Sequence, residues 1–505
     1  MKVGLKMKTL WKTIPGLLVG LLVLFSVSQC VSGETKIRKP AVAGQFYPAD
    51  PAELRSMIRG FLSRVHEPII KDPIVGLIVP HAGYIYSGPV AVYAYKEIQG
   101  RHYDRVVIVG PSHFDYFSGA SVYDGTAYET PLGLVPVDTK FCRALAKKSE
   151  RIHLSGRGHD FGPGQRGEHS LEVQLPYLQM VLGKFKLVPI VMGEQSYETC
   201  RALGRALADM IHDNKTLIIA SSDLSHYHPY QEAIQLDSKV LNAIKEWDYY
   251  NLSRNLQARI WEACGGGPIV SLMIAAEYLG ANEAKLLKYA NSGDVPAGDK
   301  SRVVGYSAFA FVKSSKEHTM EKEFSLDKKA QEVLLHIARK AVEMAVREHK
   351  VYEPISGGIK SIEQDRGAFV TLKINGRLRG CIGYTAPIKP LYLTVRDVAI
   401  QAATNDPRFS PVSVEELPEL EYEISVLSPF HHVRDVNEIQ VGRDGLLIKK
   451  GPYVGLLLPQ VPVEWGWDRE TFLQQTCRKA GLPPDAWKDP EADLFRFTAF
   501  VFGDK

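Results

Sequence analysis

The stretch VPHAGYIYSG, residues 79–88, decides how this chain is read, because residues 109–119, VGPSHFDYFSG, echo it. In each, an apolar run closes on a proline and a histidine, then continues through aromatic residues to Ser-Gly. The runs behind them, PIVGLIVP and RVVIVGPS, are short and β-rich. His81 and His113 therefore hold equivalent places at two strand exits, where loops of open α/β sheets converge on ligands.

Outward from this pair, the same alternation extends from about Lys36 to Lys313. Further β runs, KLVPIVMG, TLIIASSD, KLLKYANS and VVGYSAFAFV, are interleaved with AELRSMIRGFLSRV, SLEVQLPYLQMVL, TCRALGRALADMIH and PIVSLMIAAEYLG. The latter carry apolar residues at three- and four-residue spacing, as helices do. Such a pattern predicts an α/β sandwich with a largely parallel or mixed central sheet. A polar, charged stretch at residues 314–324 reads as a linker.

Beyond it, residues 325–502 change character. One long helical pattern, DKKAQEVLLHIARKAVEMAVREH, precedes FVTLKI-NG-RLRGCIGY, two β runs joined by Asn-Gly. That dipeptide suits a type I′ hairpin turn, whose two central residues both need positive φ. The β runs that follow predict an antiparallel α+β domain.

At 505 residues the chain exceeds what one hydrophobic core usually supports, and 45% apolar with 23% charged residues is globular composition. A net charge of +4 without a dense Lys/Arg stripe gives nucleic-acid binding no support. Residues 1–33 have the layout of an export signal, with Lys2, Lys6, Lys8 and Lys12 preceding the apolar IPGLLVGLLVLFSV. They predict a periplasmic or extracellular protein, with membrane contact only through this segment, as an uncleaved anchor or a lipid on Cys30. Without Cys30, five cysteines remain, an odd number for an oxidising compartment.

Several other residues fall where the chemistry would sit. Cys264 precedes three glycines and Pro268, so the backbone can approach a ligand and a following helix N-terminus would favour a thiolate. Two imidazoles and one anionic ligand suit a redox-active non-haem metal, and a thiolate moves the preference toward iron or copper. Each residue also has a plain reading. A lone histidine at a strand exit is often a hydrogen-bonding cap, and a lone cysteine an inert apolar residue. His169, in GEHSLEVQLPYL, reads either as a site residue or as the first turn of a helix whose dipole Glu168 serves. In SSDLSHYHP, either Ser221, Ser222 or Asp223 caps a helix, or Asp223 orients His226 as a base.

Taken together and in this order, PHAGYIYSG, GPSH, GEHSLEVQLPYL, SSDLSH and CGGGPI resemble the Memo family, protein B of the AmmeMemoRadiSam system, over residues 36–313. That family is similar in fold to class III extradiol dioxygenases. The resemblance implies a Memo-like α/β sandwich with a mixed central sheet. It implies His81, His113 and Cys264 as ligands of an iron or copper ion, zinc suiting the set less well. It also implies His226 as the base, with Asp223 and His169 lining the pocket. Cysteine where the dioxygenases use glutamate departs from their pattern and bears on ring cleavage itself. Residues 325–502, through LRGCIG and NDPRFSPVSVEELPELEYEISVLSP, resemble protein A of the same system, the AMMECR type. Within it, Cys381 reads as a buried hairpin cysteine or a nucleophile, and Arg379 as an exposed strand residue or an anion contact. The system's name implies a radical-SAM protein as partner, and the site implies a small-molecule or peptide ligand. A non-catalytic scaffold remains the alternative to an oxidoreductase.

Overall fold

The structure, a computed structural model, describes residues 36–160, 167–296, 298–315 and 324–504. The segment read above as an export signal, with Cys30, and most of the linker lie outside the described residues.

The four central runs of the first half form parallel strands in the spatial order Ile74–Val79, Thr216–Ser221, Arg105–Pro111, Lys186–Met192. Nearly every residue in them is buried, as expected of strands covered on both faces. Antiparallel strands flank them on each side. Val303–Val312 pairs with Ile74–Val79 and with Glu283–Asn291, and Ala120–Val122 pairs with Lys186–Met192. The central sheet is therefore mixed. Because Thr216–Ser221 inserts between two strands that precede it in the chain, three strand exits lie side by side at the carboxyl edge.

Helices cover this sheet in two groups. Tyr84–Ile98 packs with Pro51–Leu62 and Leu175–Val181, while Tyr197–Met210 packs with Gly266–Tyr278. The helix Tyr84–Ile98 begins three residues after His81 and carries Gly88 and Pro89 inside it, two residues that mask it in the sequence. Gly266–Tyr278 is buried for its first eleven residues and lies hard against the sheet. A Cβ on Gly76 would stand 2.3 Å from Leu272 Cδ1, so any larger residue would force that leucine to shift.

In the second half, the helices Lys328–Glu348 and Leu391–Thr404 pack on a four-stranded antiparallel sheet ordered Arg377–Tyr384, Ala368–Ile374, Leu420–Leu427, Ala499–Gly503. Asn375 and Gly376 link the first pair with φ of 51° and 71°, as a type I′ turn requires. A second antiparallel sheet, which the sequence pattern did not separate from the first, is ordered His431–His432, Asp493–Phe497, Gly445–Lys450, Tyr453–Leu457.

Residues 36–505 form one compact unit. Phe430, Leu447, Phe495 and Phe497 of the second half belong to the same buried cluster as the core of the first. Tyr250 meets Phe495 at 4.9 Å between ring centroids, and Arg366 pairs with Glu246 at 2.9 Å. All five cysteines among the described residues are free, with Cys142, Cys200 and Cys477 buried. Among the described residues, no helix is long and apolar enough to cross a membrane.

Candidate metal centre

His81 follows the strand Ile74–Val79 at the carboxyl edge and is 1% exposed. Its backbone N–H donates to Asp223 Oδ1 at 2.8 Å, which ties the first strand exit to the third. Its ring Nδ1 lies 3.0 Å from Ser221 Oγ. Ser221 has a single hydroxyl hydrogen, and it goes to the Ser170 carbonyl at 2.6 Å; the same oxygen also accepts from Gln174 Nε2 at 2.8 Å. Only the imidazole can supply the hydrogen between Nδ1 and Ser221, so the network assigns His81 the Nδ1–H tautomer. The lone pair on Nε2 is thereby left facing Cys264 Sγ, 3.1 Å away. Burial, with His113, His169 and His226 nearby, holds this imidazole well below the usual histidine range, so it stays neutral.

His113 is fixed by Glu168. The carboxylate takes the His113 backbone N–H at 2.6 Å through Oε2 and ring Nδ1 at 3.0 Å through Oε1. It also accepts the backbone N–H groups of His169 and Ser170 at 2.9 and 2.8 Å. Burial alone would raise the Glu168 carboxyl, but the His113 hydrogen bond and the neighbouring imidazoles bring it down to about 2. Burial likewise pulls His113 down, yet Glu168 outweighs it and leaves that imidazole above its ordinary value. The helix-dipole reading of Glu168 is thus replaced: a 3-10 turn begins at Glu172 and a helix at Leu175, and Glu168 orients two histidines instead.

His169 stacks on His113 with centroids 4.7 Å apart and meets His81 edge-on at 5.5 Å. Burial, chiefly, brings its imidazole down to about 4. Cys264 stands just before the buried helix Gly266–Tyr278, where its sulfur accepts the Asp223 backbone N–H at 3.3 Å. The helix N-terminus does not make it a thiolate: burial and then the Asp223 charge push the thiol up, so without a cation it stays protonated. Burial pushes Asp223 up to about 6, against the His81 N–H and nearby imidazoles. Asp223 caps no helix, since a short strand, His226–His228, follows it. Nor does it hold the His226 ring, whose Nδ1 lies 2.9 Å from the Leu224 carbonyl.

Among the described residues, two groups of potential ligands have atoms that all lie within 4.8 Å of one another: His81 with His113 and His169, and His81 with Asp223 and Cys264. The three ligands implied by the resemblance are therefore split between two groups that share His81. Neutral imidazole nitrogens beside a thiol and a carboxylate are a donor set that fits a transition metal, and the Glu168–His113 contact is the outer support such ligands usually have. Sequence reading missed Glu168, Ser221 and Gln174 as members, since each looks like an ordinary helix or strand polar residue.

Elsewhere, Cys381 Sγ accepts the Thr371 hydroxyl at 3.2 Å. Arg379 is taken up by both Glu416 oxygens at 2.7 and 2.9 Å and by the Ser410 and Pro411 carbonyls. These are internal ties, and they leave the guanidinium no fork for an anion.

A mixed α/β sandwich whose adjacent strand exits gather imidazoles, a thiol and carboxylates defines the class of the first half, and it is joined here to an antiparallel α+β partner. The Memo-like protein family matches residues 38–310, and AMMECR1 matches residues 335–502. The chain belongs to the Memo family and carries an AMMECR1 domain fused behind it. It is 40% identical over 281 residues to a MEMO1 family protein of Nitrosopumilus maritimus, covering 55% of this chain and all of that one. Against a MEMO1 family protein of Methanopyrus kandleri it is 41% identical over 285 residues, 54% of this chain and 98% of the relative. A Thermococcus kodakarensis protein, Protein TK0174, is 52% identical over 184 residues, 34% of this chain and 90% of its own length.

Proposed function

We propose that the Memo half is a metal-dependent oxidoreductase using non-haem iron or copper, and that the fused chain serves an AmmeMemoRadiSam-type system beside a radical-SAM partner. The observation that carries this is the shared position of His81, whose deprotonated Nε2 faces Cys264 while its ring meets His113 and His169. His81, His113 and Cys264 would hold the ion, and His169 is near enough to join them. The metal would supply substrate activation and electron exchange. Ser221 keeps the His81 lone pair free, and Glu168, by taking the His113 Nδ1–H, would leave Nε2 as the ligand atom of that ring. His226, half-buried with Nδ1 against the Leu224 carbonyl, would move a proton for a small-molecule or peptide ligand.

Iron and copper analysis of the purified chain beside a His81→Ala/His113→Ala variant tests the assignment. Equal metal in both would sink it. Oxygen uptake with catechol-like and thiol compounds then separates catalysis from a second reading, a non-catalytic metal- or peptide-binding scaffold. That reading draws on the core shared by the two halves, which suits a rigid adaptor.

A further inference from the structure

The C-terminal half reaches the Cys264 turn through one helix. Asp493, 3% exposed in that half, accepts Arg201 Nε at 2.9 Å, Arg205 Nη2 at 2.7 Å and the Tyr197 hydroxyl at 3.2 Å. Lys449 adds a bond to Glu198 at 2.7 Å, and the Pro490 carbonyl takes a nitrogen from each arginine at 2.5 Å. All of these partners lie in the first three turns of Tyr197–Met210.

Two residues before that helix, next to its N-cap Ser196, is Gln195, and its side chain spans the Cys264 turn. Nε2 donates to the Cys264 carbonyl at 2.9 Å, and Oε1 accepts the Gly267 N–H at 2.6 Å. The turn is clamped from the other side as well, since a Cβ on Gly265 would lie 2.3 Å from the Ser221 carbonyl. One on Gly267 would lie 2.8 Å from Gln195 Cβ. The helix itself cannot slide freely, because a Cβ on Gly204 would meet Ile274 Cβ at 2.8 Å on the helix that follows Cys264. A backbone so closely bounded responds to displacement of Gln195 by moving Cys264, with little slack to absorb it.

We infer that Gln195 is a positioning residue for Cys264, and that the AMMECR1 half, through Asp493 and Lys449 acting on the helix Tyr197–Met210, sets where that thiol stands. This rests on the reading of Cys264 as a functional thiol, and it gives the fused domain a task in the Memo site some distance from its own fold.

The test is thiol labelling of the full-length, metal-free chain with N-ethylmaleimide, read cysteine by cysteine by peptide mass spectrometry. Wild type is compared with Gln195→Ala, Gln195→Glu, Lys449→Gln and Asp493→Asn. Loss of these two hydrogen bonds should speed Cys264 labelling about 10- to 30-fold in Gln195→Ala. Lys449→Gln and Asp493→Asn should shift it the same way with Gln195 intact, and Gln195→Glu, which keeps the acceptor for Gly267, should fall between. Buried Cys142 reports general loosening and should not change. An unchanged Cys264 rate in Gln195→Ala, or a rise only in step with Cys142, overturns the inference for Gln195. An unchanged rate in both Lys449→Gln and Asp493→Asn overturns the role of the C-terminal half. A parallel arm with iron or copper added asks whether metal protects Cys264. Failure there would count against the metal reading alone, because the coupling is measured without it.

Discussion

Glu168 holds His113 at both ends, taking its backbone N–H at 2.6 Å and its ring Nδ1 at 3.0 Å. One carboxylate therefore sets the position and the rotation of the imidazole at the second strand exit. Glu168→Gln keeps the shape but removes the charge and half the acceptor capacity. Metal affinity, measured by competition with a chelator, should fall about 10- to 100-fold. The fold, followed by circular dichroism, should persist.

His159 makes the chain acid-sensitive away from the histidine cluster. Its Nε2–H donates to the Ser121 carbonyl at 2.9 Å and its Nδ1 accepts the Tyr128 hydroxyl at 2.6 Å, so the buried ring is neutral. Burial, chiefly, brings its pKa down to about 3, below the ordinary histidine value. The unfolded chain binds this proton more readily than the folded one. The contribution is therefore complete above about pH 6.5 and is lost as pH falls toward 3. Between pH 7 and 5 the loss from this group is about 2 kcal/mol. Urea midpoints at the two values, in wild type and His159→Gln, should show a smaller pH dependence in the variant.

In the LRGCIG motif, the glycine should matter more to stability than the cysteine. A Cβ on Gly380 would lie 2.2 Å from the Ala402 carbonyl oxygen, a contact with backbone that no rotamer relieves. Gly380→Ala should cost about 1–3 kcal/mol in chemical denaturation. Cys381→Ser, which retains a partner for Thr371, should cost about 1 kcal/mol or less.

Asp493→Ala removes the shared carboxylate from Arg201 and Arg205, 12% and 24% exposed in their side chains, and leaves them the Pro490 carbonyl and, for Arg201, Glu491. Their partial access to water softens the penalty for breaking a buried pair. The expected loss is about 2–3 kcal/mol. Differential scanning calorimetry should show it as one transition moving down, since the halves share a core.

Much of this was legible in the chain. The four parallel strands announced themselves as short apolar runs because both their faces are buried, and Asn375-Gly376 announced the hairpin because so few residue pairs tolerate two positive φ values. His81, His113 and Cys264 could be singled out by their place after such runs and before a glycine turn. What stayed hidden depended on partners distant in sequence. Glu168 is 55 residues from His113, and nothing local distinguishes it from a surface glutamate. The Asp493 contacts cross nearly 300 residues, and the second antiparallel sheet is assembled from strands as short as two residues. The helix after His81 was concealed by its own Gly88 and Pro89.

The common core also bears on how the protein can be handled. Phe430, Phe495 and Phe497 are 1% exposed or less in the fused chain. Cleavage at residues 314–324 followed by separation would turn these rings, and the Tyr249 and Tyr250 surface they cover, toward water. Each fragment would then carry a sticky apolar scar, and co-expression of the two pieces would be the practical route to studying either.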